Sequence, residues 1–526
     1  MASQEAAPRY DGTEPIASRL RNDGGGLPQS VPASDSPFVF SWRTLLQHMG
    51  PGFLMCIAFI DPGNLEADLQ TGARTGYILL WVVLASTCMG MLLQARACKL
   101  GVTTGKHLAT HCRAQYSPLV RTVLWLMAEL AIVGSDIQEV IGTALALSLL
   151  SRGHIPVWAG VILAALIAFA LLVLEKAGVH WLERTFQGFV AVTMVAMGGL
   201  FFMADIPYAK VAEGLFIPRL PRSTIAIACG LLGAIIMPHN LFLHSALVHS
   251  RPLPNGKIVS RGDSIKYYNI EGAVALMATL IINICVICVF SAGVHGRPEE
   301  EDIGLANAGE FLGRRYGKSM EFLWGVGLLA AGQSSTMTGT YAGQFVMDGF
   351  LDLKLSATKR AMITRGVALC PTMLFAFASP GMMDALNQWI NILQSVQLPF
   401  AVVPLLVLTS GTGVMPPEFA SSALSTYSAW AVALVIICIN SGTAVETFIT
   451  VLPPGVLAAA GFALFAATYL AFILFLAVGP KRSARLLRIV GWGARDPRPA
   501  GGAGVGGKEP VPDSAVPLLA YQPERQ

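Results

Sequence analysis

Apolar runs long enough to cross a bilayer recur along almost the whole chain, and that recurrence leaves few folds open. A membrane-crossing helix needs about 20 apolar residues. By that measure roughly twelve runs qualify, centred near Ile57, Ala85, Ile132, Leu163, Ala191, Ala234, Ile281, Ala330, Leu369, Val396, Leu434 and Phe465. Backbone groups in lipid must find partners within their own segment, so runs of this length predict helices. The chain therefore reads as an all-α polytopic membrane protein. Composition agrees: of 526 residues, 54% are hydrophobic and 13% charged, against about 25% charged in an ordinary soluble protein.

The connections carry an orientation. Positive residues gather between spans two and three (Arg96, Lys99, Lys106, Arg113), six and seven (Arg251, Lys257, Arg261, Lys266), and eight and nine (Lys354, Lys359, Arg360). All three are expected to be cytosolic, with both termini inside, as an even span count requires. Across the membrane, the third-to-fourth connection has only Arg152, and Glu299, Glu300, Glu301 and Asp302 mark the seventh-to-eighth as partly acidic. Arg314, Arg315 and Lys318 run against the rule there. Residues 1–44 read as a disordered cytosolic tail, 45–480 as the transmembrane domain, and 481–526 as a second cytosolic tail. Lys481, Arg482, Arg485, Arg488, Arg495 and Arg498 open that second tail as a juxtamembrane anchor, with no nucleic-acid patch.

Cysteine usage suggests no disulfide framework. Most of the nine cysteines lie inside apolar segments as small hydrophobes, and the Cys285-x-x-Cys288 pair, within the run from Ile281 to Phe290, is expected to be core packing. No Asn-x-Ser/Thr sequon is present.

Two apolar runs are interrupted alike, by Asp61-Pro62-Gly63-Asn64 in the first span and Met237-Pro238-His239-Asn240 in the sixth. Each couples a proline, which cannot continue a helix's hydrogen bonding, to side chains able to bind a cation. Polar groups at bilayer depth are costly and mark function. A repeat of five spans places both breaks at equivalent positions, and an odd number of spans inverts the second copy. The repeats would cover about 45–206 and 222–410, with spans eleven and twelve outside them.

The two breaks offer different ligands. Asp61 supplies an anionic oxygen and Asn64 a neutral one. Pro238 leaves the carbonyl of Ala234 without its donor, and Met237 adds a soft thioether. Oxygen-only sites suit Mg²⁺ and Ca²⁺, whereas sulfur biases a site toward softer transition ions. An imidazole serves as metal ligand or proton carrier; His239 is read in the proton role and His244, on another face, as structural. On the third span Glu129, Asp136 and Glu139 share one helical face. They read as a proton path, as partners of a basic residue such as Arg365 on the ninth span, or as both. Asn391 and Gln394 on the tenth span either complete the metal site in one conformation or make interhelical hydrogen bonds. Ser335, Gly339 and Gly343 give the eighth span a small-residue face suited to close packing. No phosphate-cradling loop, zinc signature or Ser/His/Asp arrangement supports an ATP-driven pump or an enzyme.

At these residues the chain resembles the NRAMP family of proton-coupled divalent metal transporters. The likeness runs from about Gly50 to Val407 and rests on DPGN, on MPHN followed by LFLHSAL, on GSDIQEVIG in the third span, and on GQSSTMTGTYAGQF in the eighth. It implies a LeuT-like fold of two inverted five-helix repeats, with helices 1 and 6 broken. It implies metal held by Asp61, Asn64, Met237 and the Ala234 carbonyl, and protons handled by Asp61, Asp136, Glu139 and His239, with Arg365 matched to the family's ninth-span arginine. Relatives that move aluminium or magnesium look altered at or near the methionine, which this chain keeps. Leu518-Leu519 resembles a sorting signal without its acidic residue.

The expected function is proton-coupled symport of Mn²⁺ or Fe²⁺ into the cytosol by alternating access, with no cofactor, by a monomer in a vacuolar, endosomal or plasma membrane. Two rivals are a broken-helix symporter for another substrate such as amino acids, and a metal-binding membrane receptor that does not transport. Asp61 opposes the first, because a site for a substrate carboxylate presents helix N-termini without a competing anion. The second leaves the third-span carboxylates without a task.

Overall fold

The computed structural model describes residues 38–48, 51–175, 179–248, 260–297, 303–352, 357–378, 380–410, 413–451 and 456–480. Helices dominate, and no strand occurs among the described residues. A short helix α1 (Trp42–His48) precedes span 1, which is split into α2 (Pro51–Ala58) and α3 (Pro62–Thr75). Span 2 is α4 (Leu80–Thr104), followed by the connector α5 (Leu108–Gln115). Spans 3 to 5 are α6 (Pro118–Leu150), α7 (Val157–Glu175) and α8 (Val179–Met203), then the connector α9 (Tyr208–Phe216). Span 6 is split into α10 (Ile225–Ile235) and α11 (Pro238–Leu247), and span 7 is α12 (Arg261–Gly293). The connector α13 (Leu305–Tyr316) leads to spans 8 and 9, α14 (Lys318–Leu351) and α15 (Ala357–Ala378). Span 10 comprises α16 (Pro380–Gln397) and α17 (Pro399–Ser410), and spans 11 and 12 are α18 (Ala423–Val451) and α19 (Val456–Ala477).

Each of the twelve apolar runs coincides with a helix, and among the described residues seven segments are individually long and apolar enough to cross a membrane. Spans 1 and 8 fall short for physical reasons. Span 1 is cut into pieces of 8 and 14 residues, and span 8 dilutes its 34 residues with Gly, Ser and Thr. A third interruption, at Leu398 before Pro399, divides span 10, which hydropathy alone presents as one continuous run. α9 is bent by 120° from α8 and leads as a connector to span 6.

Spans 3 and 8, equivalents in the two repeats, make the most extensive helix pair. Small residues permit that approach: a Cβ on Gly332 would run into Thr143, and one on Gly142 into the Pro62 ring. Two apolar clusters result. Both draw on several of the same spans; one includes Phe59 and Ile60 beside the first break, the other Ala234, Ile235 and Ile236 beside the second.

The two ends of the bundle are tied down differently. Residues 38–44, assigned to the tail by composition, are ordered here. The Ser41 amide donates to the Tyr267 hydroxyl at 2.9 Å, that hydroxyl donates to the Val39 carbonyl at 3.2 Å, and His48 stacks on the Tyr267 ring with centroids 5.0 Å apart. At the opposite end, Gln70 Nε2 donates to Glu66 Oε1 at 2.9 Å and to the Ile303 carbonyl at 2.8 Å, and the Ala306 amide donates to Asp384 Oδ1 at 3.3 Å. These bonds hold α13 over α3 and α16. All nine cysteines are free, Cys285 and Cys288 among the buried ones, as the packing reading expects. Residues 1–37 and 481–526, where the two tails and the Leu518-Leu519 pair fall, lie outside the described residues.

Candidate metal site at the two helix breaks

The first break is built from its own sequence. α2 tightens at its end, where the Phe59 amide bonds both Met55 and Cys56 carbonyls at 3.1 Å and the Ile60 amide bonds the Ile57 carbonyl at 3.2 Å. Asp61 then turns extended (φ −115°, ψ 165°), and Pro62 restarts the helix at its first position, where a missing N–H costs nothing. Asp61 is the N-cap: its Oδ1 accepts from the Asn64 amide at 2.8 Å. Asn64 Nδ2 donates back to the Phe59 carbonyl, one of those that the break leaves free. The outcome is directional. Asp61 Oδ2 and Asn64 Oδ1 are buried and have no hydrogen-bond partner.

The second break repeats the device. Ile236 (φ −107°, ψ 83°) and Met237 (φ −79°, ψ 133°) are extended, and Pro238 begins α11 with no side-chain cap. Ala234 and Met237 are buried at 0% and 1% exposure. The carbonyl of Ala234 ends α10 where the next turn would have placed the N–H that Pro238 lacks. Asn240 Nδ2 donates across to the Ala58 carbonyl at 3.4 Å, tying the sixth-span break to the first-span break.

Span 10 closes the third side. Asn391 Nδ2 donates to the Gly63 carbonyl at 3.1 Å, and a Cβ on Gly233 would run into the Asn391 carbonyl and Ser395. Asn391 is therefore spent on both ends, because its Oδ1 accepts from Gln138 Nε2 at 2.8 Å. Its Oδ1 already accepts one hydrogen bond, whereas the buried Oε1 of Gln394 accepts none. A buried acceptor without a donor is expensive unless something positive or a water meets it. Three such oxygens, from Asp61, Asn64 and Gln394, lie on the elements that meet at the breaks, together with a thioether and an open helix end. Among the described residues no three His, Cys, Asp or Glu side chains converge as in a resident metal centre. The donor set is mostly amide, carbonyl and thioether, which suits an ion that must leave again.

A charged column runs down span 3 from this level. Ser135 Oγ donates to Glu139 Oε1 at 3.2 Å. Span 8 presents glycine to the column: a Cβ at Gly339 would lie 3.1 Å from Asp136 Oδ1 and 3.3 Å from Glu139 Oε1, and one at Gly343 would reach the Arg360 guanidinium. The small-residue face is thus the wall against which the carboxylates stand. Ten residues below Glu139, about 15 Å along a helix, Glu129 pairs with Arg360 at 3.0 and 3.2 Å and accepts from Trp125 Nε1 at 3.1 Å. Arg360 corrects the charge-based expectation. It lies in the first turn of α15 at 2% exposure, not in a cytosolic loop, and Asp348 and Asp136 are within electrostatic reach of it. Arg365, the expected partner, sits on the same helix, but its side chain lies outside the described residues.

The remaining expected residues are in place without being joined to the column. His239 and His244 are buried on α11, and each has an Nδ1 without a hydrogen-bond partner. His244 lines a separate cavity of about 250 Å³ with Gln94, Met91 and Tyr268. Two residues of the site carried no separate signal in the sequence: Arg360, which looked like one loop charge among several, and Gln138, which looked like filler between Asp136 and Glu139.

Comparison with known proteins points one way. Residues 52–446 match the family model described as natural resistance-associated macrophage protein-like. A metal transporter nramp1 homolog of Dictyostelium discoideum is 48% identical over 411 residues, 78% of this chain and 76% of that protein. Metal transporter Nramp3 of Arabidopsis thaliana is 44% identical over 479 residues, 90% and 94% of the two chains. Among solved structures, an Eremococcus coleocola manganese transporter in complex with an aromatic bis-isothiourea substituted compound superposes with a TM-score of 0.73 at 27% identity, covering 85% of this chain and 97% of that one. With both broken helices, the span order and the matched motifs in hand, the chain belongs to the natural resistance-associated macrophage protein (NRAMP) family of metal transporters.

Proposed function

We propose that this chain is a proton-coupled symporter that moves Mn²⁺ or Fe²⁺ into the cytosol by alternating access about its two broken helices. The observation that carries the reading is the trio of buried, unpartnered acceptors, Asp61 Oδ2, Asn64 Oδ1 and Gln394 Oε1, beside Met237 and the open end of α10. The ion is substrate. Its ligands are Asp61, Asn64, Met237 and the Ala234 carbonyl, joined by Gln394. Asn391 enters the ligand set only if span 10 moves and breaks its bond to Gly63.

Protons take the neighbouring route. Metal arriving at Asp61 favours departure of that carboxyl's proton, which passes toward Asp136 and Glu139 and then toward the Glu129–Arg360 pair. His239 is an alternative carrier next to the break, and Arg365 a further basic residue on span 9. Each net positive charge carried inward gains about 2.3 kcal/mol per 100 mV of inside-negative potential. The membrane is vacuolar, endosomal or plasma, the termini are cytosolic, and the working unit is the monomer. The name of the Eremococcus coleocola relative, a manganese transporter, favours Mn²⁺ among the candidate ions.

Uptake of radiolabelled Mn²⁺ into proteoliposomes under an inward pH gradient tests the whole reading. Accumulation that collapses when the gradient is dissipated supports it. Uptake of an amino acid, or binding without accumulation, would replace it with one of the rivals.

A further inference from the structure

Three side-chain amides on two helices form a series whose direction is fixed at one end by backbone. Asn391 Nδ2 donates to the Gly63 carbonyl at 3.1 Å, and Asn391 Oδ1 accepts from Gln138 Nε2 at 2.8 Å. Gln138 Nε2 also donates to the Asn387 carbonyl at 3.2 Å, and Gln138 Oε1 accepts from Gln394 Nε2 at 3.2 Å. A backbone carbonyl can only accept. Gly63 therefore fixes the orientation of Asn391, and Asn391 with Asn387 fixes that of Gln138. Gln138 in turn holds the NH₂ end of Gln394, so the oxygen is the end left over. That oxygen is buried and has no partner.

We infer that Gln138 is a positioning residue for metal binding: it sets the polarity of the Gln394 amide so that Oε1, not the NH₂ group, faces the ion. The inference rests on the reading of Gln394 as a metal ligand. The alternative rotamer would present two N–H groups to a dication, which repel it, so the orientation decides whether Gln394 helps or opposes binding. Gln138 is 0% exposed, and a Cβ on Gly63 would come within 2.6 Å of its amide, so Gly63 provides the room that lets a planar amide lie against the break. The series also links the unwound DPGN backbone directly to span 10. A movement of span 10 that opens the site breaks the Gly63 contact and frees Asn391 in the same motion.

The test is a double-mutant cycle on Mn²⁺ uptake by purified, reconstituted protein, using Gln138→Met and Gln394→Met, unbranched replacements of similar volume. Thermal unfolding of each variant provides the check on folding, and Gln138→Asn supplies a second variant if Gln138→Met does not fold. The expected result is a KM for Mn²⁺ raised roughly tenfold by either single change with less than a twofold loss of maximal rate, and no further rise in the double variant. If Gln138→Met raises KM equally in the wild-type and Gln394→Met backgrounds, Gln138 acts on something other than Gln394 and the inference is overturned. If Gln394→Met raises KM and Gln138→Met does not, the inference fails while the ligand reading stands. If neither change moves KM, the ligand reading fails and takes the inference with it.

Discussion

Replacing Arg360 with methionine isolates the ion pair at the foot of the carboxylate column. Arg360 Nη2 reaches both Glu129 oxygens, at 3.0 and 3.2 Å, and the two side chains are only 3% and 14% exposed. Removing one member of a buried pair leaves an uncompensated charge, at a cost of about 3–5 kcal/mol. Glu129 keeps some exposure and the Trp125 N–H at 3.1 Å, which places the expected loss near the lower end, about 3 kcal/mol. Removing both charges together, as Glu129→Gln with Arg360→Met, should bring stability back to within about 1 kcal/mol, because a well-packed neutral replacement of a buried pair is often no worse than the pair. The assay is thermal unfolding of the detergent-solubilised protein, followed by Mn²⁺ uptake in proteoliposomes. The double variant should recover stability but not gradient-driven accumulation, since the column has lost the carboxylate at its foot. An Arg360→Met variant as stable as wild type would refute the reasoning. So would a double variant no more stable than the single one.

Other outcomes follow from the same geometry. Asp61→Ala should abolish accumulation, and normal transport by that variant would remove the site assignment. Met237→Ala should let Ca²⁺ compete with Mn²⁺ roughly tenfold better, equivalent to about 1.4 kcal/mol of lost discrimination; unchanged competition would show that the thioether does not select the ion. Gly339→Val pushes a branched side chain toward Asp136 and Glu139, whose oxygens lie 3.1 and 3.3 Å from a Cβ there, and should cost about 1–3 kcal/mol as overpacking, read as a lowered melting temperature. On the connector α5, burial first and then the nearby Lys106 charge push the His111 imidazole down from 6.5 to about 4. The unfolded chain takes up that proton as pH falls through 6.5 and the folded chain only near 4, so stability declines across this window. His111→Gln should flatten the decline, and identical pH–stability curves for the two proteins would exclude His111 as its source.

What the sequence disclosed, and what it hid, divides along physical lines. DPGN and MPHN are legible because proline and a polar side chain inside an apolar run have few explanations, and both coincide with real interruptions of the helix. The spans are legible because lipid demands length and apolarity. The break at Leu398 escaped notice because Pro399 follows directly on an apolar leucine and opens the apolar stretch to Val403, with no carboxylate or imidazole beside it to mark an interruption. Arg360 was hidden because three connections carry similar charges, and only tertiary packing tells a buried guanidinium from a solvated one. The Gln138–Asn391–Gln394 series was hidden for a different reason. Gln138 lies 253 and 256 positions from its two partners, and only the carbonyls of Gly63 and Asn387, invisible to composition, fix the direction in which the amides point. Asn391 and Gln394 are legible as a pair with two possible uses, metal ligation or interhelical hydrogen bonding. Asn391 makes hydrogen bonds to Gly63 and Gln138, and the buried oxygen of Gln394 accepts none.

The central claim, that the two breaks are halves of one metal site, is tested most directly by anomalous scattering from a Mn²⁺-soaked crystal. A single strong peak is expected between the breaks, within bonding distance of Asp61, Asn64, Met237 and the Ala234 carbonyl, and it should vanish in Asp61→Ala. A peak in wild type held elsewhere, or one at the breaks that survives loss of the Asp61 carboxylate, would contradict the account.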